Sequence, residues 1–196
     1  VSELFTSPVL RVEQPRRGPS ARVRYKVSDG DGTLLATAEE NSAQSRAQTL
    51  KSVFPGKSNL DARGVVISDA GGEPLLVIDK PEGRTLIRVC RPDGTTVGTY
   101  NTLHAGRTFA LRDGDDAKIG GLVGDLSRRN FTIADADGKQ VAVIRKRFSG
   151  VLTHLLTTSD KYDVEISADV PEPLRTLAVA GAIAMDLALH ESKEII

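Results

Sequence analysis

Short runs rich in β-branched and aromatic residues alternate along this chain with polar steps rich in Asp and Gly. YKVSDGDGTLLATA, VVISDAGGEPLLVI, IRVCRPDGTTVGTY, FALRDGDDAKIGGL and FTIADADGKQVAVI all have this form. Asp and Gly tolerate the left-handed backbone that tight hairpins need, so each unit predicts strand, turn and strand. The turns beginning at Ser68, Cys90, Arg112 and Ala134 are spaced 22 residues apart, and Ser28 begins an earlier copy. Unrelated loops do not keep such a spacing. These hairpins supply about ten strands, and SPVLRVE and YDVEI add one at each end. An antiparallel sheet that long closes or splits, because its open edges would invite aggregation. The pattern predicts an all-β fold, a closed antiparallel barrel of about twelve strands.

Two stretches break the rhythm. EENSAQSRAQTLKSVFPGKSNLDAR, an excursion at about 40–63, predicts a short helix over Ser42–Val53 ended by Pro55-Gly56. It reads as a departure from the barrel within a single 1–196 domain. The other stretch is PLRTLAVAGAIAMDLALHES, in which Leu177 to Met185 carries no charge and is apolar on every side of a helix. That core spans roughly 14 Å at about 1.5 Å per residue, whereas a membrane span needs about 20 apolar residues. Extending it takes in Arg175 and Asp186, each costing about 2.5–3.5 kcal/mol at a bilayer centre. No transmembrane insertion is expected. A helix apolar all round in a soluble fold is buried all round, so Leu177, Ala180, Gly181, Ala182, Ile183 and Met185 are predicted to form a helix filling the barrel. Its expected bounds are about 173–190, with Pro173 opening the first turn.

Composition narrows the function classes. Lys+Arg 26 balances Asp+Glu 26, which argues against nucleic-acid binding. The single cysteine, Cys90, allows no internal disulfide, and the first residues have no secretory pattern. A cytoplasmic protein, peripheral at a membrane at most, is expected. His104, His154 and His190 are scattered without metal-ligand spacing, and Cys90 in a strand reads as packing rather than a nucleophile. The DGDG, DGDD and DADG turns fail as calcium loops: counting from Asp29 the sixth residue is Leu34, and from Asp135 the twelfth is Lys146. IGGLVG lacks the Lys-Ser/Thr of a phosphate loop. No catalytic constellation emerges, and the expectation is a protein without enzymatic activity.

From Thr158 to Glu191 the chain reads TSDKYDVEISADVPEPLRTLAVAGAIAMDLALHE. Asp160, Tyr162, Val164, Asp169, Arg175, Gly181-Ala182, Asp186 and Glu191 fall without a gap into the tail pattern of the phospholipid scramblase and LURP-one-related proteins, which the chain resembles. YKVSDGDGTLLATAEE is similar to that family's opening hairpin. The resemblance implies a tubby-like barrel around a hydrophobic C-terminal helix, and lipid-linked functions for some members. It also implies a calcium segment, which in the family begins with an acidic residue where Thr158 stands here. Asp160, Asp163 and Asp169 are the remaining candidate calcium ligands, with Glu165 beside them. Strand alternation sends some of these to opposite faces, which favours solvated charge over a bound ion and leaves no cofactor expected.

One local feature could hold a ligand. Arg145, Lys146 and Arg147 in VIRKRF, with Arg128-Arg129 one connection upstream, form a basic stretch. The resemblance to tubby-like barrels suggests a headgroup phosphate there; the plainer reading is charge that keeps a strand end soluble. Alternation puts Arg145 and Arg147 on one face and Lys146 on the other. The expected function is a binding or adaptor module that contacts anionic membrane lipid or an unidentified protein. The alternative is a calcium-responsive, lipid-translocating scramblase.

Overall fold

The computed structural model describes residues 2–15, 23–40, 63–80, 86–104, 107–147 and 160–191. A 3-10 turn, Glu3–Phe5, precedes β1 Val9–Glu13, β2 Arg24–Asp29, β3 Leu34–Glu40, β4 Arg63–Asp69, β5 Pro74–Lys80 and β6 Leu86–Cys90. There follow β7 Thr96–His104, β8 Thr108–Asp113, β9 Lys118–Gly124, β10 Asn130–Asp135, β11 Gln140–Arg147, β12 Lys161–Ile166 and the helix α1 Leu174–Glu191. Each strand pairs antiparallel with its sequence neighbours, and β12 closes on β1 through Leu10 opposite Val164 and Val12 opposite Tyr162. The predicted twelve-stranded closed barrel is the observed one. The excursion at about 40–63, with its expected helix, lies almost wholly outside the described residues.

The 22-residue period has a structural cause. The turns Asp29–Thr33, Asp69–Glu73, Arg91–Thr95, Asp113–Ala117 and Asp135–Lys139 share one construction, in which the first residue's N–H donates to the fifth carbonyl. Where Asp stands first, its Oδ1 also accepts the N–H groups of the third and fifth residues at 2.8–3.0 Å. In Arg91–Thr95 the carboxylate has moved to Asp93, which captures the Thr95 N–H at 2.8 Å. The fourth residue is left-handed in all five: Gly32, Gly72, Gly94 and Gly138, and Asp116 at φ 68°. A bulge follows from each turn, as at Ile67/Ser68 and Leu111/Arg112. All five turns gather at one end of the barrel, here the closed end. The strand ends that lead into the connections β1–β2, β3–β4, β5–β6, β7–β8, β9–β10 and β11–β12 lie at the other, the loop end.

α1 enters from the closed end and occupies the barrel axis. Its 18 residues, about 27 Å at the α-helical rise, bury Leu177, Ala178, Ala180, Gly181, Ala182, Ile183, Ala184 and Met185 against inward side chains such as Leu10, Tyr25, Tyr100 and Ile144. Small residues permit the close approach. A Cβ on Gly181 would lie 2.7 Å from Ile144 Cδ1, and the Leu177 methyls press on Gly98 of β7. At the helix start the Thr176 N–H donates to the Glu172 carboxylate (3.2 Å), and the Leu177 N–H to the Pro173 carbonyl (3.1 Å). Pro173 therefore sits one residue before the helix rather than inside it. The Arg175 guanidinium donates to the carbonyls of Phe5, Thr6, Ser7 and Ser167, fastening the N-terminal segment across the closed end.

Two polar contacts hold the helix from inside. The Tyr100 hydroxyl donates to the Leu177 carbonyl. Near the loop end, the buried carboxylate of Asp186 accepts from the hydroxyls of Tyr25 (2.7 Å) and Tyr162 (2.8 Å). Burial, reinforced by the Asp186 charge, pushes the Tyr162 hydroxyl well above the usual tyrosine range, so it stays a donor. A buried charge without such partners would be strongly destabilising.

Ala182→Arg should therefore abolish folding, since a buried unpaired guanidinium costs more than a domain of this size can absorb. A soluble variant with an unchanged melting temperature would refute the central-helix arrangement. Tyr162→Phe should fold but lose about 1–3 kcal/mol, because Asp186 forfeits one donor. Urea unfolding measures this, and an unmoved midpoint would count against that bond.

Candidate functional site

The basic stretch forms the last part of β11, at the loop end. Arg145 and Arg147 point outward and are half-exposed, while Lys146 turns toward the barrel mouth. Its ammonium lies 5.5 Å from the centre of the Tyr162 ring and 2.7 Å from Asp160 Oδ1. The faces are those that alternation predicts. The neighbouring strand supplies the partners: the Arg145 guanidinium bonds the Glu165 carboxylate, and Arg147 Nε bonds Asp163. In the register Arg145 stands opposite Asp163 and Arg147 opposite Lys161, so both ion pairs run diagonally across the two strands. The candidate phosphate cations and two of the candidate calcium ligands are thus partners of one another.

Asp169 is placed elsewhere. It is exposed in the turn after β12, at the closed end, whereas Asp160 precedes β12 at the loop end. The fold does not bring Asp160, Asp163 and Asp169 together. Among the described residues no group of three or more His, Cys, Asp or Glu side chains is arranged to hold a metal. Cys90 is buried on the outer face of β6 beside Val77, with the Thr96 hydroxyl 3.9 Å away. Burial pushes its thiol up to about 11, the behaviour of a packing residue. His104 is exposed at the end of β7, and His154 lies outside the described residues.

The loop end gathers further cations. The Lys146 N–H donates to the Arg129 carbonyl (2.8 Å), which sets the β9–β10 turn against the basic end of β11. Within that turn Asp125 Oδ1 accepts from the Arg129 N–H (2.9 Å) and the Ser127 hydroxyl (2.8 Å), and Oδ2 from the Asn130 amide (2.7 Å). Desolvation works against its charge, but these bonds outweigh it and hold the carboxyl down to about 2. Arg107 joins the cluster through the Gly124 N–H, which donates to the Arg107 carbonyl at 2.6 Å. The rim thus carries Arg107, Arg128, Arg129 and the β11 cations around one arc of the barrel mouth.

The comparisons with known proteins agree with this architecture. The Scramblase family model matches residues 20–192. The chain belongs to the scramblase family. A solved structure of an Arabidopsis thaliana protein is similar in fold, with a TM-score of 0.58 over 93% of this chain and 94% of that one, at 14% identity. No sequence match to a curated protein accompanies these. Among the described residues of this scramblase-family barrel, no helix is long and apolar enough to cross a membrane.

The carboxylates facing β11 were discoverable in YDVEI, where Asp163 and Glu165 share the outward face, once β11 and β12 are known to be neighbours. The Asp125 turn also has an acid signature. Its folded carboxyl lies below the ordinary 3.8, so ionised Asp125 stabilises the fold above that value. As pH falls from 3.8 toward about 2 the unfolded chain binds its proton first, and the contribution is lost. The stability difference between the parent and Asp125→Ala should therefore shrink through that window. A difference that stays constant down to the acid limit would show that the ionised carboxylate does not brace the turn.

Proposed function

We propose that this scramblase-family barrel is a non-enzymatic binding module that contacts anionic membrane lipid peripherally through the cations of its loop end. The observation that carries this reading is the hydrogen bond from Lys146 to the Arg129 carbonyl, which sets two separate basic stretches side by side. With α1 filling the axis, a ligand has the outer surface and rim to bind. The ion pairs on Arg145 and Arg147 do not oppose the reading strongly. Exposed pairs contribute about 0–1 kcal/mol each, so exchanging a carboxylate for a lipid phosphate costs little. A guanidinium also matches phosphate oxygens in a bidentate manner. Near an anionic leaflet each exposed cation contributes about 1 kcal/mol, screened by salt.

Flotation with vesicles of phosphatidylcholine alone, or mixed with phosphatidylserine, tests this. The protein should float with the anionic vesicles only, at low salt, with or without calcium. Arg145→Gln with Arg147→Gln should weaken binding about threefold to tenfold while the barrel stays folded. Asp163→Asn with Glu165→Gln should strengthen it, since both arginines lose their internal competitors. Equal flotation with neutral vesicles, or none with either, would sink the lipid reading. Binding that requires calcium would favour the calcium-responsive alternative.

A further inference from the structure

The β9–β10 turn is built like the five turns of the closed end but carries different residues. It too opens on an Asp whose Oδ1 accepts the fifth residue's N–H, and its fourth N–H returns to the first carbonyl (3.0 Å). In the closed-end turns the second residue is Gly30, Ala70, Pro92, Gly114 or Ala136, all compact. Here it is Leu126, 85% exposed. Where those turns place Gly or Asp in the left-handed position, this one places Arg128 at φ 55°. Left-handed backbone is unfavourable for a residue with a long side chain, so this turn accepts strain to present a cation beside an aliphatic tip.

The neighbouring strands extend the same chemistry. Val123, 52% exposed, pairs with Thr108, and Thr108 pairs with His104 next to Leu103, itself 59% exposed. Three of the four large exposed apolar side chains among the described residues therefore fall on the loop end of β7–β9. Arg107, half-buried, precedes β8 between His104 and Gly124, which its backbone bonds; its Nε is buried and without a hydrogen-bond partner among the described residues. Arg128 and Arg129 follow Leu126 two and three residues on, and the one carboxylate of the turn, Asp125, is consumed inside it.

We infer that the β9–β10 turn is a membrane-insertion tip: Leu126, with Leu103 and Val123 behind it, enters the acyl boundary of an anionic bilayer while Arg107, Arg128 and Arg129 meet the phosphates. An aliphatic apex with cations beside it complements an interface that is anionic at its surface and apolar just beneath. The inference rests on the lipid reading above and adds the element that enters the bilayer.

The chain contains no tryptophan, so a single introduced one reports cleanly. Leu126→Trp should show a blue-shifted emission on phosphatidylserine-containing vesicles and quenching by brominated acyl chains. Leu34→Trp, at the closed end, should show neither. Leu126→Glu should reduce vesicle affinity about tenfold with no change in melting temperature. Vesicle flotation with an unquenched tryptophan at position 126 would overturn the tip while leaving the lipid reading standing. Failure to float at all would overturn both. A blue shift that grows with protein concentration in the absence of lipid would make the patch a self-association surface, and would equally overturn the tip.

Discussion

A helix that is apolar on every side has no stable place in water, and the barrel exists around that fact. From Leu174 to Leu187, about 21 Å at the α-helical rise, α1 is sheathed by strands whose alternate side chains need an apolar partner on the axis. Neither part is a plausible folding unit without the other: an unfilled barrel of this girth would hold a void, and voids forfeit dispersion contacts on all their walls. The alanines and Gly181 set how closely the strands can draw in, as the 2.7 Å approach of Ile144 Cδ1 to a Cβ on Gly181 shows. Asp186 then fixes the depth of the helix. Its carboxylate cannot slide past Tyr25 and Tyr162 without losing both hydroxyl donors, so a featureless apolar rod acquires a single register along the axis.

Arg175 fulfils the matching role at the other end. A cation in the first helical turn is unfavourable toward the helix dipole. Its guanidinium turns back instead to the carbonyls of Phe5, Thr6, Ser7 and Ser167. The helix is therefore anchored by an anion near its C-terminal end and a cation at its N-terminal end, each satisfied by the barrel rather than by the helix. The closed end is thus sealed by tight turns and this clamp, while the long connections leave from the loop end. This is the usual division between scaffold and functional loops.

The fold was legible because its two signals are local and strong. A tight hairpin writes its Asp and left-handed Gly into adjacent positions, and a central helix shows as an apolar run without a polar face. The 22-residue spacing survives even at Arg91, where the turn keeps its geometry by shifting its carboxylate to Asp93. The site was less legible because it is made across strands. The basic residues of β11 were visible, but their pairing with Asp163 and Glu165 depends on a register between strands joined by a long connection. Leu126 gives no sequence signal, because a lone aliphatic residue in a polar turn carries no periodicity. Only the likeness of its turn to the five at the opposite end marks it as out of place.

The energies of the rim explain why charge and an aliphatic tip belong together in the proposed contact. Moving Arg145 and Arg147 from carboxylates to lipid phosphates exchanges pairs of about 0–1 kcal/mol for contacts of about 1 kcal/mol, so the net gain is small. In the proposed contact such a surface would orient the barrel on an anionic leaflet and release it as salt rises, while holding it weakly. Burying one leucine contributes about 1.5–3 kcal/mol and is insensitive to screening. Under this proposal charge would decide which membrane is approached and in what orientation, and the aliphatic tip how long the barrel remains. A net charge of zero over the whole chain is compatible with this division, because the rim would act within a Debye length of about 10 Å. Its own carboxylates Asp125, Asp160, Asp163 and Glu165 are engaged in hydrogen bonds or ion pairs, and those of the closed-end turns lie at the opposite end of the barrel.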